Sequence, residues 1–214
     1  MKLIGKANML HARMNHSLTA VGDQYLVSVG GYDIEDNAHY ACEMYKIRKD
    51  EWIELPSLNV SRTDHAACVV GDRMLYVFCG LNKLGRPTNE IESLHITSGS
   101  NWHLLEISQD FPPRYDCGAV AIDNTNVICF GGSNQQGERL ADVYLISTRE
   151  KTIFFSNANT GAAISLIAQP LCFDAKNFRI NVGNDKDQML YSMQLDPRGR
   201  PSAWMQVAGY KTYL

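Results

Sequence analysis

The sequence predicts an all-β protein built from about four repeats, each a sheet of four short antiparallel strands. An apolar run that ends in glycine occurs four times, with the final glycines at Gly31, Gly80, Gly132 and Gly183. These glycines are 49, 52 and 51 residues apart, and a period near fifty indicates a repeat architecture. An aromatic series has nearly the same period and consists of Trp52, Trp102, Phe154 and Trp204.

Two further series support the period. Arginine recurs just before each of the first three predicted first strands, at Arg13, Arg62 and Arg114. Three residues after each arginine come His16, His65 and Cys117. The predicted third strands carry Tyr45, Leu94, Tyr144 and Tyr191. Because these series are independent of the glycines, chance is a poor explanation for their common period.

The second repeat shows the order of elements most clearly. Apolar runs predict strands, and residues such as Gly, Asp and Asn between them predict turns. In order, the segments are a strand at 65–70, a turn at 71–73, a strand ending at Gly80, a polar loop at 81–90, a strand at 91–96, a turn at 98–101 and a strand from Trp102. The first two strands form a β-hairpin, so each unit is one antiparallel sheet.

These residues resemble the kelch repeat, with its Arg-x-x-His opening, Gly-Gly ending, Tyr in the third strand and Trp in the fourth. The resemblance covers one domain, 1–214, with repeats at about 11–58, 60–108, 112–156 and 163–210. Departures increase toward the fourth repeat, which has no evident arginine. The predicted structural signature is Gly30, Gly31, Gly80, Gly131, Gly132, Gly183, Tyr45, Tyr144, Trp52, Trp102 and Trp204.

The resemblance implies a β-propeller, whose blades are four-stranded sheets around a central axis. Kelch propellers usually close with five to seven blades, so about four blades predict a partial, incomplete propeller. A four-bladed ring is the alternative. Leu3–Lys6, within the first ten residues, aligns with the outer strand of a preceding blade, and a linker is the alternative there. Open blade faces are apolar, so a partner that completes the propeller is expected.

The loops are the predicted binding surface, since a rigid scaffold commonly presents function on its connections. Loops after the second strands and links between blades emerge on one face. In similar kelch proteins that face receives acidic or polar peptide segments. The predicted partner-binding residues are Arg13, Arg62, Arg114, Tyr32, Asn82, Arg86, Asn134 and Arg139. A guanidinium suits carboxylate recognition, but each repeated arginine could instead brace its own blade.

Composition excludes several other classes of protein. The formal net charge is −3, which gives no reason to expect nucleic acid or an anionic membrane as partner. No stretch reaches the ~18 apolar residues of a membrane span. The six cysteines are single and form no C-x-x-C pair, which predicts reduced core thiols, no metal site and a cytoplasmic location. No cofactor is expected.

Two functions remain open on the sequence. The first is a non-enzymatic protein-interaction module or assembly scaffold that binds through its loops, its exposed blade edges or both. The second is a kelch-type enzyme, such as a sugar isomerase or mutarotase, or a copper-radical oxidase. His16 and His65 repeat with the fold, which favours a structural role over catalysis. The acidic loop around Asp33, Glu35 and Asp36 fits no recognised calcium loop. We therefore predict no catalytic residue.

Overall fold

A computed structural model describes residues 5–107 and 111–157 and four further strands within 169–209, with side chains described as far as residue 153. Every regular element in this part of the chain is a β-strand. The first two sheets contain β1 (Ser17–Val21), β2 (Tyr25–Val29), β3 (Cys42–Lys46), β4 (Glu51–Leu55), β5 (Ala66–Val70), β6 (Met74–Phe78), β7 (Ile91–His95) and β8 (His103–Leu104).

The last two sheets have the same construction as the first two. They contain β9 (Gly118–Ala121), β10 (Asn126–Phe130), β11 (Val143–Ser147), β12 (Thr152–Asn157), β13 (Gln169–Asp174), β14 (Arg179–Asn184), β15 (Met189–Leu195) and β16 (Pro201–Gly209). Each of the four sheets has its strands in sequence order, and every pair is antiparallel. The predicted all-β class and four-stranded blades are confirmed. No helix in the described residues has the length and apolar character needed to cross a membrane.

Tight turns join the first two strands of each of the first two blades. Gly22 and Gly71 lie at positive φ, 60° and 63°, in turns that close β1 on β2 and β5 on β6. Glycine reaches this conformation without the steric penalty that a Cβ brings. In β5 the residues Ala66, Cys68 and Val70 are buried and alternate with less buried ones, so a shift of register by one residue would turn this apolar set to the other face.

The blades lie side by side in chain order, as in an arc of a β-propeller. Their first strands are neighbours, with β1 beside β5, β5 beside β9 and β9 beside β13. Between the first two blades the core includes Val27, Val29 and Met44 on one side and Val77 and Leu94 on the other. A second core joins blades two and three. Two cores between adjacent blades therefore bury the apolar faces of the second blade on both sides, which is why a single blade would be unstable alone.

The paired glycines at the end of the second strand permit two different close approaches. A Cβ on Gly30 would lie 2.4 Å from the carbonyl oxygen of Arg62, in the link to the next blade. A Cβ on Gly31 would lie 2.5 Å from the carbonyl oxygen of Met14, in its own blade. Both glycines also have positive φ, 59° and 89°. The glycine signature therefore serves packing and backbone geometry.

Two tryptophans bind the segments of chain that enter the first two blades. The indole N–H of Trp102 donates to the carbonyl of Pro56 at 2.8 Å, and that of Trp52 donates to the carbonyl of Ala7 at 3.0 Å. In the fourth sheet, Trp204 is paired with Met193. The predicted N-terminal strand lies partly outside the described residues, at Leu3 and Ile4, and the described residues Gly5 and Lys6 are not in a strand.

The third-strand series requires a correction in the third blade. Tyr45 lies three residues after Cys42, the residue paired with Val29, whereas Tyr144 lies one residue after Val143, the residue paired with Phe130. Tyr144 is thus two positions out of register with Tyr45 and stands where the first two blades carry Glu43 and Glu92. The equivalent residues Ile91 and Val143 are 52 positions apart, so a spacing of fifty places the third-strand residue of the third blade two positions too early.

Candidate functional site

The loops after the second strands lie beside the links that enter the blades. Tyr32 forms antiparallel β-bridges through its backbone with both Met14 and Ala38, and Leu81 forms the corresponding two β-bridges in the second blade. Ser133 does the same in the third blade. The links and the loops therefore form one face of the molecule, which we name the loop face: residues 14–15, 32–41, 63–64, 81–90, 115–116 and 133–141.

The three repeated arginines lie beneath this face with fully buried side chains. Arg62 donates to the carbonyls of Cys79 and Glu90, at 2.8 and 2.9 Å, and to the carboxylate of Glu92 at 2.6 Å. Arg13 makes the same contacts in the first blade with Gly30, Ala41 and Glu43. Arg114 donates to Gly131 and Asp142. These contacts are those of the bracing alternative.

Asn82 and Asn134 organise the loops that carry them. The side-chain oxygen of Asn82 accepts hydrogen bonds from the backbone N–H of Leu84 and Arg86, at 2.9 and 3.2 Å. Asn134 accepts from the corresponding residues of the third blade, and Asp33 does so in the first. An Asx side chain that binds the backbone two residues ahead stabilises a turn. This series, spaced like the glycines, was not recognised in the sequence.

The remaining predicted contact residues reach the surface to different extents. Tyr32 is half-buried, and Arg86 is exposed. Arg139 is exposed too, but its guanidinium lies 3.0 Å from the hydroxyl of Ser133 and 3.7 Å from the carboxylate of Asp116. Of the eight predicted partner-binding residues, Arg86 and Arg139 are therefore the exposed ones, and Tyr32, Asn82 and Asn134 are half-buried.

A cleft of about 350 Å³ separates the loops of the first two blades. Tyr32 and Asp36 line one side, Asn82 and Lys83 line the other, and Asn15 and Asp64 also line it. Asn15 donates to the carboxylate of Asp64 at 2.6 Å, which joins the two blades. The cleft thus combines carboxylates, an ammonium group, two amides and one aromatic ring.

Two apolar side chains stand at the loop tips beside this cleft. Ile34 is 97% exposed and Leu84 is 67% exposed, whereas the loop residues around them are polar. Each is next to a lining residue or separated from one by a single position. Exposed apolar residues beside polar groups are typical of protein-binding surfaces. Their apolar character within polar loops is a sequence signal that could have identified them.

Backbone geometry holds the cleft residues in place along the three blades. Asn15, Asp64 and Asp116 occupy equivalent positions and all have positive φ, between 50° and 54°. The N–H of Asp64 donates to the carbonyl of Asn15, and the N–H of Asp116 donates to the carbonyl of Asp64. Burial, assisted by the charge of Asp64, raises the pKa of Asp116. Asn and Asp tolerate this conformation better than most residues.

Comparison with known proteins agrees with the kelch resemblance. Two F-box/kelch-repeat proteins of Arabidopsis thaliana are similar to this chain. One is 24% identical over 157 residues, which cover 68% of this chain and 33% of the relative. The other, SKIP20, is 24% identical over 186 residues, which cover 74% of this chain and 44% of the relative. The chain spans less than half of either relative. No family model matches it.

Proposed function

We propose that this chain is a non-enzymatic protein-interaction module that binds an extended, mainly polar protein segment in the loop-face cleft. The similarity to kelch-repeat proteins supports such a role, and so does the family's use of blades as a rigid scaffold for variable loops. The single observation that carries the proposal is the cleft between two loops whose tips expose Ile34 and Leu84.

The chemistry of the cleft favours a mixed partner over a strongly acidic one. Arg13, Arg62 and Arg114 are buried, so their charges are committed to their own blades. Asp36, Asp64 and Lys83 line the cleft, and the exposed Arg86 lies in the same loop as Lys83. A segment with alternating polar groups would find donors and acceptors here, and an apolar side chain would contact Ile34 or Leu84.

The enzyme alternative receives less support from the described residues. An isomerase or mutarotase would need His, Arg and Glu side chains exposed in a pocket. Arg62 and Glu92 are instead fully buried and bonded to each other, and the ring of His65 is partly buried with its Nε2 2.9 Å from the hydroxyl of Ser17. The arrangement of these groups is that of structural supports.

A pair of isoleucine variants tests the proposed surface. We expect Ile34→Ser to weaken binding of a partner at least tenfold, because a hot-spot side chain commonly contributes ~2 kcal/mol or more. The partner is first isolated by affinity purification of the native-length protein, and the mass of the complex is measured. Affinity is then measured by calorimetry with the purified partner.

Ile47→Ser is the matched control, since Ile47 is an exposed isoleucine of the same blade in the turn between β3 and β4, at the opposite end of the strands. It should leave both affinity and melting temperature unchanged. Equal loss of affinity in both variants, or no loss with Ile34→Ser, would contradict the proposed surface. Melting curves separate lost contact from lost folding.

We also propose that the partner or further blades complete the propeller at the first blade.

We propose further that the protein works in a reducing compartment such as the cytoplasm. The five cysteines with described side chains are all buried and free, which suits a reducing environment.

A further inference from the structure

Three cysteine side chains converge in the core between the second and third blades. The Sγ atoms of Cys79, Cys117 and Cys129 all lie within 4.8 Å of one another, and all three residues are buried. Cys79 follows β6, Cys117 precedes β9, and Cys129 lies within β10. The packing of two blades therefore brings together residues that are far apart in the sequence. Because the cluster depends on this packing, the spacing of the cysteines along the chain did not predict it.

None of the three positions needs cysteine for the repeat to fold. The equivalents of Cys79 are Gly30 and Gly131, those of Cys117 are His16 and His65, and those of Cys129 are Ser28 and Val77. Cys79 has φ of 63°, close to the 59° and 62° of the equivalent glycines. A side chain in this conformation is unfavourable without a compensating interaction. Three departures from the repeat thus meet at one point.

A cation lies close to the cluster. The guanidinium of Arg114 is near enough to Cys117 and Cys129 to interact electrostatically with both sulfurs, and it is paired with Asp142 at 2.9 Å. A positive charge beside a thiol stabilises the thiolate, the form of cysteine that ligates metals.

We propose that Cys79, Cys117 and Cys129 form a buried three-thiolate site for the soft monovalent ion Cu(I). Thiolates select Cu(I), zinc and iron–sulfur clusters over harder ions. Three sulfurs that share one metal at about 2.3 Å in a trigonal arrangement are separated by roughly 4.0 Å, and the three Sγ atoms of this cluster lie within 4.8 Å of one another. Among the described residues the group comprises three ligands, all cysteines, whereas structural zinc prefers four. Three ligands therefore favour Cu(I).

The proposed binding involves no electron transfer. Copper enters as Cu(I) and remains Cu(I), each sulfur forms one bond to the metal, and each thiol that ligates releases its proton to the solvent. The site is separate from the loop-face cleft, so the proposal of Cu(I) binding does not depend on the proposed function.

Metal titration of the whole reduced chain tests the site. We expect one equivalent of Cu(I) per chain to be held against the competing chelator bathocuproine disulfonate, and X-ray absorption to show only sulfur neighbours. Zn(II), titrated in the same way, should bind more weakly. Cys129→Val and Cys79→Gly should each weaken Cu(I) binding at least tenfold. Both variants insert a residue that another blade already carries at the equivalent position, so we expect both to fold. Circular dichroism checks that they do.

Cys68→Val is the matched control. Cys68 is buried in β5, and its equivalent in the third blade is Val120. This variant should bind one Cu(I) like the wild type. Three results would overturn the proposal: no Cu(I) retained by the wild type, Cu(I) binding unchanged in Cys129→Val, or tighter binding of Zn(II) than of Cu(I). The first and third of these use the wild type alone and do not depend on any variant.

Discussion

At the scale of single residues, the position three after each arginine shows how burial changes chemistry. His65 is partly buried, and this burial together with the charge of Arg62 lowers its pKa to about 3. Its Nε2 lies 2.9 Å from the hydroxyl of Ser17, across the boundary between blades. The ring is therefore neutral over the physiological range, and it contributes packing rather than charge.

This histidine predicts a loss of stability in acid. The unfolded chain takes up a proton at His65 near pH 6.5, whereas the folded chain does so only near pH 3. The stabilisation is fully present above pH 6.5 and is lost as the pH falls toward 3. Well below pH 6.5 the expected decline in the free energy of unfolding is about 1.4 kcal/mol per pH unit. Urea unfolding at several pH values measures it.

His65→Cys is the control, because the third blade carries Cys117 at the equivalent position. We expect the variant to show a flatter pH dependence between pH 6 and 4, when the same unfolding is measured. Parallel curves for the variant and the wild type would show that His65 does not cause the decline.

The sequence predicted where the repeated residues occur better than it predicted what they do. Periodic spacing identified the strands, the glycines and the repeated arginines, because each depends on local patterns. Spacing does not show which way a side chain points, so Arg62 was placed both among binding residues and among braces. The three cysteines escaped notice because their proximity depends on the packing of two blades. Tyr144 was misaligned because the period varies by a few residues.

At the scale of elements, the arginine and an acidic residue of the third strand clamp the link between blades. Glu92 accepts hydrogen bonds from the backbone N–H of Asn59 and Val60, at 2.7 and 3.2 Å, and from Arg62. Glu43 does the same for Leu10, His11 and Arg13 in the first blade. Each carboxylate thereby satisfies the guanidinium and two backbone donors of the incoming link.

The third blade has a different clamp for a reason visible in its link. Pro112 stands where Val60 stands in the second blade, and proline has no N–H to donate. Tyr144 replaces the glutamate, and its ring centroid lies 4.8 Å from the guanidinium carbon of Arg114. Asp142 supplies the carboxylate from two residues earlier and accepts the hydroxyl of Tyr144 at 2.5 Å. The clamp keeps the cation while changing its partners.

The clamp predicts a large effect for Arg62→Ala. Removing the arginine leaves the carboxylate of Glu92 buried without its cation, and breaking a buried ion pair typically costs about 3–5 kcal/mol. Chemical denaturation should show this loss. Arg86→Ala, at an exposed arginine of the same blade, should change the free energy of unfolding by about 0.5 kcal/mol or less. Unchanged stability in Arg62→Ala, with partner binding lost, would favour the contact role.

At the scale of the whole molecule, the first blade exposes an apolar residue at a position that is packed against a core in the second and third blades. Leu18 in β1 is 55% exposed. The equivalent residue Ala67 packs against the core shared with the first blade, and Ala119 lies in the core shared by the second and third. Leu10 and Met14, in the link before β1, are also about half exposed, at 50% and 53%. Three apolar side chains on one blade are the expected footprint of a further blade or a partner.

Leu18→Ala tests whether this face is a contact surface. The variant carries the residue that the second and third blades use, so we expect its stability to change by about 0.5 kcal/mol or less. The isolated wild-type chain should bind an apolar dye or self-associate, because an uncovered blade face remains apolar. Leu18→Ala should bind less dye and self-associate less than the wild type. Dye fluorescence and light scattering measure both properties. A monodisperse monomer that binds no dye would falsify the open face, because a face that attracts neither dye nor protein has no contact to make.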